Sequence, residues 1–220
     1  DVAALEAALR ALVARHAVLR TRLVAGAEGV SQRVDAAAPF AVERAIAADA
    51  GSALALARGF AARRFDLARD WPLRVCAIAL GGDEHVVVPV LHHIAGDGWS
   101  AGILARELGS LYAASVTGAA ASLPALAVQY GDYAAWQRDW LAGGLAAREL
   151  AYWRDALAGA PALLRLPLSG PRPALSRHRG GVVAVRYDAA LVGSVTGLCR
   201  AAGVTLFMAL LAGFGVVLSR

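Results

Sequence analysis

Apolar and polar positions recur along this chain with two periods, and the points where the period changes mark its elements. Over residues 2–19, Leu5, Leu9, Leu12, Val13, His16 and Leu19 fall on one stripe while Glu6, Arg10 and Arg15 lie mostly off it. That spacing predicts a helix with one buried face. A turn at 26–29 and a weak strand candidate over 30–34 come next, and residues 53–62 read as a helix. Two runs rich in β-branched residues, 73–80 and 84–91, flank Gly81-Gly82-Asp83 and predict a β-hairpin. Pro89 in the second run lacks a ladder donor, so it predicts a bulge or a sheet edge. An amphipathic helix starts near Ser100 and carries Ile103, Leu104, Glu107, Leu108, Leu111 and Tyr112. Beyond an Ala-, Ser- and Pro-rich loop ending at Pro124, an aromatic-bearing helical stretch covers 130–138. Gly170-Pro171-Arg172-Pro173 reads as a linker, 181–187 alternates like a strand, 189–200 is helical, and 205–218 is an apolar helix.

Composition narrows this picture. A chain of 220 residues can bury a sizeable core. The formal charge of +5 invites a nucleic-acid reading, but all 22 basic residues are arginine and they are scattered among Ala, Leu and acids. Scattered charge argues against nucleic acid as a partner. Residues 204–218 are shorter than the ~20 apolar residues a bilayer needs and are interrupted by Gly213 and Gly215. They read as a buried core helix, and no membrane partner is expected. Cys76 and Cys199 sit in apolar contexts and read as buried free thiols in a reducing compartment. The first residues show neither a charged nor an apolar export segment, so a cytoplasmic location is expected.

Chemistry concentrates in one place. The buried strand that ends at Leu91 delivers His92-His93-Ile94-Ala95-Gly96-Asp97-Gly98 just before the helix. Polar groups at a strand end feeding a helix N-terminus make a common site. Three readings stand. The histidines can be structural, with Asp97 as a helix cap and the glycines as turns. Gly98-Trp99-Ser100-Ala101-Gly102 also fits the G-x-S-x-G nucleophile elbow, with Asp132 and His178 coming after it in hydrolase order. That elbow needs the strand to run directly into the first glycine, and six residues intervene here. The third reading takes His-His-x-x-x-Asp-Gly as the unit.

That unit resembles the acyl-transfer signature of condensation domains in nonribosomal peptide synthetases, relatives of chloramphenicol acetyltransferase. Arg15-His16-Ala17-Val18-Leu19-Arg20-Thr21-Arg22-Leu23 resembles a second signature, RHExLRTxF, with Ala17 in place of the usual Glu and Leu23 in place of an aromatic. Tyr130-Gly131-Asp132-Tyr133-Ala134-Ala135-Trp136-Gln137-Arg138 is similar to a third, YxDYAxWQR, at every fixed position. Arg64-Phe65-Asp66-Leu67 with Trp71-Pro72-Leu73-Arg74, and Tyr152-Trp153 with Leu166-Pro167, resemble further family segments. The resemblance implies an α/β fold, a two-layer sandwich whose mixed, largely antiparallel sheet is covered by helices. It implies an N-terminal lobe over 1–168, then a linker and the beginning of a second lobe over 169–220. It implies that His93 is catalytic and that Gly98 offers its backbone N–H near the reacting carbonyl. His92 and Arg15 support the site, and Asp97 pairs with an arginine, for which Arg20 is the candidate.

The residue types suit amide formation from a thioester. An imidazole is largely neutral at physiological pH, with an unperturbed pKa of ~6.5, and can accept a hydrogen bond from the attacking amine. A helix-start N–H suits the developing oxyanion. By resemblance, the substrates ride on phosphopantetheine arms of carrier domains, next to an adenylation domain, and no metal or cofactor binds directly. Rival readings are a coenzyme-A-dependent acyltransferase of the same fold, a catalytically silent docking module, and the serine hydrolase. A lone segment of this kind would expose a large apolar face.

Overall fold

The structure, a computed structural model, describes all residues except 28, 165, 167–169, 174, 176–179 and 220. It divides into two compact units, Asp1–Tyr152 and Trp153–Arg220.

In the first unit, helix α1 (Val2–Arg15) follows the predicted stripe, and the Asp1 carboxylate caps it by accepting the Ala4 N–H. The helix stops short of residue 19. The Gln129 side-chain oxygen takes the Ala17 N–H that an α-helical turn would have used, and a 3-10 turn, Ala17–Arg20, buries Leu19 instead. Strands β1 (Thr21–Gly26) and β2 (Gly29–Val34) then pair as an antiparallel hairpin. Strands β3 (Glu43–Ile46), β4 (Leu73–Gly81) and β5 (Glu84–Leu91) form a second sheet in the order β3-β4-β5. β3 lies parallel to β4, and β5 antiparallel, which realises the predicted hairpin. β5 is an edge strand of this sheet, where Pro89 is tolerated; the ladder irregularity lies near the turn, between Ala79 and Gly81.

β4 is buried on both faces. Leu73, Val75 and Ala77 join Leu5, Leu9, Leu12 and Val13 of α1 in one cluster, against which Leu104, Leu108, Leu111 and Tyr112 of α3 (Gly98–Thr117) pack. Each fully buried leucine or valine here contributes about 1.5–3 kcal/mol. Cys76 and Ile78 face the other way, against Ala53 and Phe60 of α2 (Ala50–Ala62). The sheet and the α1/α3 layer make the α/β sandwich, and α2 covers the remaining face. Both cysteines are free and buried, and burial pushes the Cys76 thiol upward. Helices α4 (Tyr130–Trp140) and α5 (Ala146–Ala156) are joined across Leu141–Leu145 by a kink whose backbone leaves the helical region at Gly143 and Gly144, the latter at φ 95°.

The second unit contains α6 (Ala189–Ala202) and α7 (Leu206–Leu218), capped by Asp188 and Thr205. Two expectations fail here. Residues 181–187 form no strand, because the described residues of this unit include no strand to pair with them, and Val182 stays 98% exposed. α7 buries none of its residues, so it is not a core helix in this chain; a helix apolar on every side needs cover from several directions, which the described part of this unit does not provide. No single described helix is long and apolar enough to cross a membrane.

Two local devices set the strand end and the hairpin in place. The first is the β5–α3 turn. The His92 N–H donates to the Pro72 carbonyl (2.8 Å) and the Ala95 N–H to the His92 carbonyl (2.9 Å). Asp97 then caps α3, its carboxylate accepting the Ser100 N–H (2.9 Å) and hydroxyl (2.8 Å). A Cβ on Gly96 would lie 2.6 Å from Leu91 Cδ2 and 3.1 Å from Ser100 Cβ. The second device is Asp35, just past β2. Its carboxylate accepts from Arg22 (2.5 and 2.8 Å) and from the Trp71 indole (2.9 Å), tying the hairpin to the segment that enters β4. The Arg22 bonds first, then the Trp71 bond, lower the Asp35 carboxyl from 3.8 to about 2.

Gly96→Ala is expected to lower unfolding free energy in urea titration by about 1–3 kcal/mol, the usual penalty of overpacking. Gly98→Ala, with nothing within 4 Å of the new methyl, should change it by about 0.5 kcal/mol or less. Asp35 has a folded pKa below its ordinary value, so its stabilisation is complete above that value and is lost as pH falls through 3.8 toward 2. Asp35→Asn should therefore melt below wild type at pH 7, and the gap should close on acidification, as followed by circular dichroism.

Candidate active site

The two adjacent imidazoles have different surroundings. His92 is half-buried: its Nδ1 accepts the Ile94 N–H (3.1 Å), and its ring meets Phe65 edge-on at 5.6 Å. Phe65 in turn carries the Arg74 guanidinium 4.0 Å over its face. His93 is exposed, and among the described residues no group bonds either of its ring nitrogens. His92 is thus held as a structural element, while His93 remains available to a ligand.

His93 lines a cavity of about 450 Å³. The wall is completed by Ile94 to Asp97 and Ser100 from the turn, Ile103 and Leu104 from α3, His16, Val18 and Leu19 from the end of α1, and Tyr130 from α4. All three sequence signatures therefore meet at one concave surface. Such volumes are typical of small-molecule sites.

A polar bracket behind the wall holds these segments together. Glu107 of α3 accepts two bonds from Arg15 (3.0 and 3.3 Å), and its Oε2 lies 2.6 Å from His16 Nε2. Arg15 also donates to the Pro124 carbonyl at 2.5 Å. Burial raises the Glu107 carboxyl, but the bonds from Arg15 and His16 outweigh it and hold the group below the usual carboxylate range. Gln129 accepts the Ala17 N–H and donates to the Arg15 carbonyl, both at 3.0 Å, and its backbone starts α4. Sequence reasoning places Arg15 at the site but misses Glu107 and Gln129. Glu107 reads as an ordinary position of an amphipathic helix, although an acid on its inward stripe is a signal.

The expected pairing of Arg20 with Asp97 is not what forms. Arg20 donates to the Asp35 carbonyl, and its buried Nε has no acceptor among the described residues. Asp97 is exposed and serves the start of α3; bonds from the Ser100 N–H and hydroxyl hold its carboxyl low. A strong local cap satisfies the aspartate before any distant guanidinium is needed. Gly98 opens α3 but is not among the residues lining the cavity, and its N–H has no acceptor among the described residues. Ser100 sits in the first helical turn with its hydroxyl donated to Asp97, and Asp132 caps α4 by accepting the Gln129 N–H (2.8 Å). Neither matches a hydrolase triad, and His178 lies outside the described residues. Among the described residues no three His, Cys, Asp or Glu side chains gather as a metal site.

Comparison with known proteins agrees with this arrangement. The Condensation domain family matches residues 1–220. One of the linear gramicidin synthase subunits of Brevibacillus parabrevis is 42% identical over 226 residues, covering 100% of this chain and 4% of that synthetase. The crystal structure of the X-domain from teicoplanin biosynthesis superposes with a TM-score of 0.86 at 37% identity, covering 93% of this chain and 46% of that one. The same domain in its complex with OxyB gives a TM-score of 0.85 at 36% identity over the same shares. The chain thus spans about half the length of those solved relatives and a small part of the synthetase. With the family match running from end to end and the three signatures gathered on one cavity, the chain belongs to the condensation-domain family of nonribosomal peptide synthetases, with its chloramphenicol-acetyltransferase-like fold.

Proposed function

We propose that this segment supplies one wall of a site that forms an amide bond between two carrier-tethered substrates, with His93 as base or positioner. The observation that carries this reading is the cavity wall itself: an imidazole with both nitrogens unengaged among the described residues, past the tip of an edge strand, beside the exposed start of α3.

In the proposed step, the amine nitrogen of the acceptor attacks the donor thioester carbonyl. The new C–N bond forms, the C–S bond breaks, and the proton lost by nitrogen ends on the departing thiolate. His93 accepts the hydrogen bond from the amine and can carry that proton between the two, a role worth typically about 10²–10⁴-fold. The Gly98 N–H lies at the positive end of the α3 dipole, outside the cavity lining of this segment, and its role toward the transient oxyanion rests on the resemblance of the signature. By this reading the substrates arrive on phosphopantetheine arms of carrier domains, an adenylation domain loads them in the same assembly line, and no cofactor binds the site directly.

A second reading has its own support. The teicoplanin X-domain, at TM-score 0.85, was solved in complex with OxyB, so a domain of this fold can serve as a platform for another protein. The discriminating group is again His93. Its ring makes no bond among the described residues, so His93→Ala should leave the melting temperature nearly unchanged. In a chain extended to the length of the solved relatives and supplied with carrier-bound substrates, the same variant should lower kcat for amide formation about 10²–10⁴-fold, the usual weight of a general base. Unchanged turnover would instead favour the docking role.

A further inference from the structure

We propose that His16 is a second imidazole of the substrate cavity, anchored by Glu107 through one ring nitrogen and bonding a substrate N–H through the other. The inference rests on the amide-forming reading above and deepens it by adding a positioning residue.

The geometry supplies the reasons. His16 and His93 line the same cavity, from different elements. His16 Nε2 is 2.6 Å from Glu107 Oε2, and the side chains are 16% and 12% exposed. A carboxylate accepts only, so the neutral ring places its proton on Nε2 and leaves Nδ1 with a lone pair. Among the described residues, no donor meets that Nδ1.

A purely structural histidine would be redundant here. Arg15 already grips both oxygens of Glu107, and Gln129 already joins the end of α1 to α4. What His16 adds is a second imidazole at the cavity wall, and when the ring is neutral the carboxylate on Nε2 fixes its tautomer so that Nδ1 is the acceptor. The fitting ligand group is the N–H of a tethered amine or of an amide in a pantetheine-like arm. A charged guanidinium or ammonium partner is disfavoured, because the Arg15 guanidinium already bonds the same Glu107 oxygen, Oε2, that meets His16.

His16→Gln separates the roles. The glutamine amide can still reach Glu107 in place of Nε2–H, but nothing replaces Nδ1. In a chain extended to the length of the solved relatives, His16→Gln is expected to raise the acceptor KM at least tenfold with a smaller change in kcat, whereas His93→Ala lowers kcat. In parallel, the imidazole nitrogens of wild type are followed by NMR during titration with an aminoacyl-pantetheine carrying an amide in place of the thioester. Shifts at both His16 Nδ1 and His93 would support the inference. A response at His93 alone, or a His16→Gln enzyme with wild-type KM, would overturn it and leave the amide-forming reading standing. No response at either ring, together with no amide formed by wild type, would sink that reading and this inference with it.

Discussion

The constraint on which the site depends is the close approach of Leu91 and Ser100 across Gly96. A Cβ at Gly96 would lie 2.6 Å from Leu91 Cδ2 and 3.1 Å from Ser100 Cβ, so a side chain there would push both aside and loosen the turn. Closure brings Asp97 into position to cap α3, and the capped helix lays Leu104, Leu108 and Leu111 against the cluster built on α1 and β4. The polar turn and the apolar layer therefore fix each other. Loosening the turn would shift a helix, and shifting the helix would move Glu107, which reaches back to the end of α1.

That return contact explains why segments 92 residues apart converge. At position 17 the chain has alanine, so the Arg15-His16 pair finds no carboxylate next to it in sequence. Glu107 provides one from α3, and Gln129 takes the Ala17 N–H, ending α1 where the cavity wall begins. The second signature thus works through geometry. Its arginine ties α1 to α3 through Glu107, Gln129 ties the end of α1 to α4, and His16 is left at the wall of the common concavity.

How far the sequence discloses this depends on what each pattern encodes. The β4–β5 hairpin and helices α1 to α3 are legible because burial on one face or both imposes a period. Strand β1 is hidden, because Thr21-Arg22-Leu23 is only half-buried and reads equally as a helix end, and β3, at four residues, is too short to show a pattern. The failed strand at 181–187 shows the converse: alternation is a propensity, and a strand also needs a neighbour. Charge pairing is the least legible feature. Analogy assigns Arg20 to Asp97, yet nearby Asp35 offers its carbonyl to Arg20 and its carboxylate to Arg22 and Trp71. Which cation meets which anion is decided by the fold, since the residue types alone admit several pairings.

The histidine pair is where structure adds most to sequence. As letters, His92 and His93 are equivalent; past the end of β5 they are not. His92 turns back toward Phe65, where its backbone N–H bonds the Pro72 carbonyl and its Nδ1 takes the Ile94 N–H. Both polar demands on that side are spent inside the fold. The next residue enters the turn, and its ring emerges into the cavity with neither nitrogen committed among the described residues. A base must present a free lone pair to its substrate at hydrogen-bond distance. Of the two imidazoles, only that of His93 meets the condition without breaking a bond that the turn requires.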